Sequence, residues 1–173
     1  MTEVNGAGIL VLLVYLPILL LAITSKYFRN KFCKNHSVKL NHKAVEILIG
    51  ILYFSMIIIA LYFSFSTKDF LMIFGSIIYL TSLFIVYLGY YSYFKHKELI
   101  TKFPFNFSRN PTYFYGYLSV IGVAIMIESI LLILIVVFQM ILVHQTILIE
   151  EKYMQKKYGK RYSKYKKRVG RYI

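Results

Sequence analysis

The sequence predicts an all-α, polytopic membrane protein with five transmembrane helices, a C-terminal helical hairpin made by helices four and five, and a basic amphipathic tail helix. Three observations predict it. Of the 173 residues 58% are hydrophobic, more than a soluble core of this size could hide. The apolar residues fall into long runs parted by short polar stretches. The 21 Lys and Arg, against 7 Asp and Glu, lie almost wholly between or after those runs. One integral membrane domain over residues 1–173 is expected, with spans near 7–24, 44–66, 70–94, 112–127 and 130–150 and a tail over 151–173.

The first run, Ala7 to Thr24, follows residues that carry Glu3 and no cation, so it reads as a retained span, not a signal peptide. Pro17 is expected to kink it, and neighbouring helices can re-satisfy the carbonyl that proline frees. A basic loop, Lys26 to Lys43, leads to the second run, Ala44 to Ser66, with Glu46 near its start. Only Thr67, Lys68 and Asp69 precede the third run, Phe70 to Phe94, which predicts two antiparallel neighbours. Tyr90, Tyr91, Tyr93 and Phe94 close that run like an interfacial aromatic belt.

A second basic loop, Lys95 to Arg109, is held partly extended by Pro104 and Pro111. Thr112 to Ile149 is then almost wholly apolar. As one helix it would run to roughly 57 Å, against a hydrocarbon core of about 30 Å. Glu128-Ser129 is the polar interruption near its middle, so a tight turn is predicted there. The fifth helix runs from Ile130 to about Tyr158, past the membrane.

Charge sets the orientation. Six Lys/Arg lie in the first loop, four in the second and ten in the tail, which leaves Lys68 alone on the other side. Five spans put the three basic clusters on one face, cytoplasmic by the positive-inside rule. The N-terminus is then outside and the C-terminus cytoplasmic, at the plasma membrane in a microbe. A net charge of +14 reads here as orientation and contact with anionic lipids, not nucleic-acid binding. Cys33, the lone cysteine, forms no intrachain disulfide, and no metal-ligand spacing is present.

The hairpin brings chemistry together. Arg109 opens the fourth helix, and Glu150 and Glu151 emerge at the same face, about one helix diameter away (~10 Å). Arg109 pairs with a glutamate, or the two clasp a zwitterionic ligand. The plainer readings are an interfacial arginine and a solvated helix end, although carboxylates near a helix C-terminus call for a cation or a longer helix. His144, two turns before Glu151, is either an intramembrane hydrogen-bonder or a functional group. In the tail, Met154, Tyr158, Tyr162, Tyr165 and Val169 form an apolar stripe among cations, broken or bent at Gly159. That stripe fits a helix lying on an anionic leaflet, or a lid whose tyrosines cover a pocket.

These residues resemble a known superfamily. Arg109-Asn110-Pro111-Thr112-Tyr113-x-x-Gly116 is similar to the Arg-His-Pro-x-Tyr-x-Gly signature of the isoprenylcysteine carboxyl methyltransferases and phospholipid methyltransferases. Glu150-Glu151, then Tyr158-Gly159-x-x-Tyr162-x-x-Tyr165-x-x-x-Val169-x-Arg171, resembles their C-terminal signature. Asn110 stands where the family has His, Tyr158 where it has Phe, and the glycine comes one place later. A Gly-x-Gly of phospholipid methyltransferases is represented at most by Gly89, which leans away from a phospholipid acceptor.

The resemblance implies an integral membrane methyltransferase with S-adenosyl-L-methionine as donor, bound at the cytoplasmic end of the hairpin. Arg109, Asn110, Pro111, Tyr113, Gly116, His144, Glu150, Glu151, Tyr158 and Tyr162 are then the expected cofactor residues, and Glu151 and Arg171 the catalytic ones. Arg171 and the tail tyrosines would orient an acceptor carboxylate or oxyanion. The acceptor is expected to be a lipophilic small molecule or a prenylated or lipid substrate, methylated on oxygen because the face is basic. N-methylation of an amine lipid, a nicotinamide-dependent steroid-type reductase and a non-catalytic lipid-binding protein are the alternatives.

Overall fold

The computed structural model describes the backbone of residues 6–24, 40–96 and 98–173, and their side chains except at 17–24 and 40–46. The expectations for Glu3, Cys33, the first basic loop up to Lys39, the Glu46 side chain and Lys97 lie outside the described residues. Within them the chain forms six helices: α1 (Ala7–Thr24), α2 (Leu40–Tyr62), α3 (Asp69–Lys95), α4 (Pro111–Met126), α5 (Ile130–Tyr158) and α6 (Lys160–Lys166). Two of them, α3 and α5, are long and apolar enough to cross a membrane; α4 and the described parts of α1 and α2 are shorter apolar helices. Large apolar side chains point outward along α2, α3 and α5, among them Ile51, Ile58, Phe70, Ile77, Phe84, Leu134 and Ile141. Water would penalise that outer surface and lipid does not.

The core lies where α1, α2, α4 and α5 meet, around Val11, Met56, Val120, Val123, Leu132 and Val136. α3 packs most extensively on α4, and glycine is the reason. A Cβ at Gly122 would stand 2.8 Å from both the Gly75 carbonyl oxygen and the Tyr79 nitrogen, so the two backbones touch. Small residues give such close crossings where no water drives association.

The predicted side-by-side packing of the second and third runs is corrected. α1 packs on both α2 and α3, whereas α2 and α3 share almost no contact. α2 starts before and stops short of the apolar run, at Tyr62, so the link to Asp69 is longer than three residues and bridges the gap.

α1 continues through Pro17. Proline has no N–H for the Leu13 carbonyl four residues back. Tyr87 on α3 donates its hydroxyl to that carbonyl at 3.1 Å, and Tyr79 donates to Leu10 O at 3.0 Å.

The turn between α4 and α5 falls at Ile127–Ser129, as the polar interruption predicts. Ser129 caps α5 by accepting from Leu132 N at 3.2 Å. Glu128 adopts a left-handed φ of 50°. It accepts a hydrogen bond from Ser66 at 2.6 Å and pairs with Lys68, which ties this turn to the α2–α3 link. Pro111 sits in the first turn of α4, where its missing N–H costs nothing, not in an extended segment before the helix. The tail is not one helix. α5 runs to Tyr158, Gly159 breaks it at φ 51°, and α6 ends at Lys166.

Candidate functional site

The site is built at the end of the helix pair remote from Glu128. There Pro111 starts α4, which places Arg109 and Asn110 just ahead of it, while α5 carries Glu150 and Glu151 past the apolar run. Glu151 is only 6% exposed, yet it collects three basic or polar partners from distant parts of the chain. Arg109 reaches Oε1 with Nε at 3.2 Å and Nη2 at 3.1 Å. Arg171 forks across the carboxylate, Nε to Oε1 and Nη2 to Oε2, both at 3.1 Å. Asn110 Nδ2 donates to Oε1 at 3.3 Å.

Burial pushes the Glu151 carboxyl up. The Arg171 hydrogen bond, the charges of Arg109 and Arg171, and the Asn110 amide outweigh it and hold the group below the usual carboxylate range. The Arg171 hydrogen bond to Glu151 in turn raises the guanidinium above its ordinary value.

Backbone contacts lace the same segments. Arg109 N donates to Gly170 O at 3.0 Å, and Arg109 Nη1 to Lys166 O at 3.1 Å. Ser108 Oγ and Asn110 Nδ2 both donate to Arg171 O, at 3.2 Å each. Residues 166–171 therefore fold back as a strap over the start of α4. Tyr172 continues the strap and shares a 2.6 Å hydrogen bond with His144 Nδ1.

Glu150 turns the other way and accepts from Tyr113 OH at 2.9 Å. Between these groups and the α3–α4 loop opens a cleft of about 830 Å³, its mouth included. Its wall holds the acids Glu98, Glu150 and Glu151, the polar Arg109 and Asn110, and the rings of Tyr93, Tyr153, Tyr162 and Tyr165. Tyr162 and Tyr165 are buried with Val169 against Leu99, Met154 and Tyr158. The tail stripe thus packs on protein and not on a leaflet. Burial and the nearby Glu151 charge push the Tyr162 hydroxyl up to about 12. Burial also raises that of Tyr165, which donates to Phe105 O at 2.6 Å.

Of the residues singled out in the sequence, Arg109, Asn110, Glu150, Glu151 and Tyr162 line this cleft. Arg171 touches it through Glu151, and Pro111 supports it from the first turn of α4. Tyr113 and Gly116 line a second, apolar cavity between α1, α2, α3 and α4. Tyr158 packs within the stripe, and His144 bonds to the strap; neither lines the cleft. Tyr93, Glu98, Tyr153 and Tyr172 were not legible as site residues. Tyr93 carried the signal of the aromatic belt, and Tyr172 continues the tail stripe three residues past Val169.

The donor set suits the implied cofactor. S-adenosylmethionine presents an amino-acid zwitterion, a sulfonium, two ribose hydroxyls and an adenine. The cleft offers carboxylates, a guanidinium, a side-chain amide and tyrosine faces, which attract cations through the ring quadrupole.

A family model described as phospholipid methyltransferase matches residues 45–161. The match takes in every cleft residue except Tyr162 and Tyr165. No curated protein and no solved structure matches the chain. The reduced Gly-x-Gly leaned away from the phospholipid branch; the family match falls on that branch. The chain belongs to the phospholipid methyltransferase family and is a membrane enzyme that uses S-adenosylmethionine as methyl donor.

Proposed function

We propose that the chain methylates the amine headgroup of a membrane phospholipid, in place of the carboxylate or other oxygen nucleophile that its basic face suggests. The observation that carries this reading is that the arginines around the cleft are already engaged. Three carboxylates and four tyrosine rings line it, Glu151 holds both Arg109 and Arg171, and Glu98 pairs with Arg161. An anionic acceptor would compete with Glu151 for those cations. An ammonium headgroup instead meets carboxylates and ring faces. The family's name supports the same choice.

In this reading Arg109, Asn110, Glu151 and the tyrosines of the cleft hold S-adenosylmethionine, which supplies an electrophilic methyl group. Arg171 positions Glu151. Glu150, on the side of Tyr113, faces the acceptor, balances the charge of its ammonium and takes up the proton that the nitrogen gives up, to pass it to water at the cleft mouth. A primary amine needs that loss before it can act as a nucleophile. Tyr113 fixes the orientation of the Glu150 carboxylate.

Five crossings place this cleft at the cytoplasmic face. They put Lys68 and Glu128 outside, and the second basic loop and tail inside. The nine exposed cations from Lys152 to Arg168 support that orientation and suit an anionic leaflet.

The test is a transfer assay with radiolabelled donor and purified protein in vesicles. The acceptors are phosphatidylethanolamine and, separately, a lipid carboxylate, with products read by mass spectrometry. Methylated amine is the expected product. A base-labile methyl ester with no methylated amine would return the assignment to oxygen.

A further inference from the structure

A second cavity is larger than the cleft. It is an apolar chamber of about 1120 Å³, mouth included, between α1, α2, α3 and α4. We propose that this chamber holds an acyl chain of the acceptor lipid, and that Gly116 keeps it open. The proposal rests on the lipid reading above and extends it to the part of the acceptor that does not react.

Four observations carry it. The first is continuity with the cleft. Tyr113 lines the chamber with its ring while its hydroxyl bonds to Glu150, a cleft residue. One turn apart on α3, Tyr90 lines the chamber and Tyr93 lines the cleft. A headgroup at Glu150 therefore has its tail directed into the chamber.

The second is access. Leu12, Gly50 and Phe54 are chamber residues and are exposed on the outer apolar surface, so the mouth opens sideways between α1 and α2. The third is the wall. The inner end is built of Tyr15, Tyr53 and Tyr117, whose hydroxyls are satisfied among themselves and by Met56. The face left to an occupant is then mainly ring and aliphatic carbon, which suits a hydrocarbon.

The fourth is the glycine. A Cβ on Gly116 would meet a single atom, Val14 Cγ1 at 4.0 Å, although the residue is buried. Gly122, about one and a half turns on, meets the α3 backbone at 2.8 Å. Packing thus accounts for Gly122 and leaves Gly116 facing open space. Gly50, across the chamber, likewise has nothing within 4 Å of its would-be Cβ. A side chain added at 116 enters the volume that an acyl chain would occupy, one added at 50 stands at its mouth, and neither position lines the cofactor cleft.

The experiment uses full-length protein in vesicles holding a trace of phosphatidylethanolamine with a photoreactive diazirine on its acyl chain. Adducts are mapped by mass spectrometry. Wild type is expected to carry adducts on Tyr15, Tyr53 or Tyr117 that excess unlabelled phosphatidylethanolamine removes. Gly116→Leu is expected to lose them at least tenfold, while adducts on the outward Phe70 and Phe84 persist and affinity for S-adenosylhomocysteine stays the same. Gly50→Leu provides the same test should Gly116→Leu not fold. Chamber adducts unchanged in the folded variant, or not displaced by competitor, overturn the proposal. Chamber adducts that behave as expected, in a protein that methylates no amine, support the chain site and overturn the headgroup reading instead.

Discussion

At the scale of single residues, Glu151 matters most, because one carboxylate gathers Arg109, Asn110 and Arg171. Glu151→Gln keeps the shape and removes the charge. Breaking a buried ion pair from one side costs about 3–5 kcal/mol, and the 29% exposure of the Arg171 side chain places this case at the lower end. The expected outcome is a clear drop in unfolding temperature in detergent and loss of S-adenosylhomocysteine binding by calorimetry; an unchanged affinity would remove Glu151 from the cofactor site. The pH dependence has a definite sign. A carboxyl depressed in the fold stabilises it above the unfolded value of about 4.3, and that stabilisation is lost as pH falls through the folded value. Unfolding temperature should fall on the acid side, below about pH 4, and Glu151→Gln should flatten that limb. Tyr113→Phe removes one hydrogen bond to Glu150, worth about 0.5–1.5 kcal/mol, so its stability effect is small. Methyl transfer to phosphatidylethanolamine should fall in that variant while cofactor affinity holds. The pairing of Arg109 with a glutamate was legible, because the hairpin length brings both to one face. The role of Arg171 was not: its path depends on how residues 166–171 lie across α4, a packing outcome with no local pattern.

At the scale of elements, the α4–α5 pair was legible to within a residue or so, since a 38-residue apolar run can accommodate a polar Glu-Ser only at a bend. Ser129→Ala should cost about 1 kcal/mol through the lost cap, read as a lower melting temperature. The α3–α4 crossing was not legible. Gly75 and Gly122 are ordinary glycines in a sequence, and only their juxtaposition shows that backbone meets backbone. Gly122→Val should be far worse than Gly116→Ala: its side chain must displace backbone, with a cost of about 1–3 kcal/mol or more. Comparing detergent-extracted yield and melting temperature of the two variants tests this ordering. The short link between the second and third apolar runs misled because hydropathy marks where a run ends, not where the helix does. The tail stripe was visible as a stripe; whether it faced lipid or protein was decided by Leu99, from a loop that shares no period with it.

At the scale of the whole molecule, the two ends of the bundle differ in kind. One end is tied by Lys68, Ser66 and Glu128, the other by Glu151 and its arginines. Five crossings predict that a cysteine placed at Thr67 reacts with an impermeant maleimide from outside intact cells, and one placed at Lys156 only after permeabilisation; the reverse pattern, or both from one side, would sink the five-span arrangement. The chamber was invisible in the sequence, because its shape is set by how four helices pack. The strap, finally, has a practical corollary for anyone handling this protein. Ile173 is 85% exposed, so an affinity tag appended there hangs clear of the machinery. Trimming back only as far as Gly170 deletes the guanidinium that forks across Glu151 and the hydroxyl bonded to His144. Residues 171–173 thus hold two ties that a variant cut after Gly170 would lack.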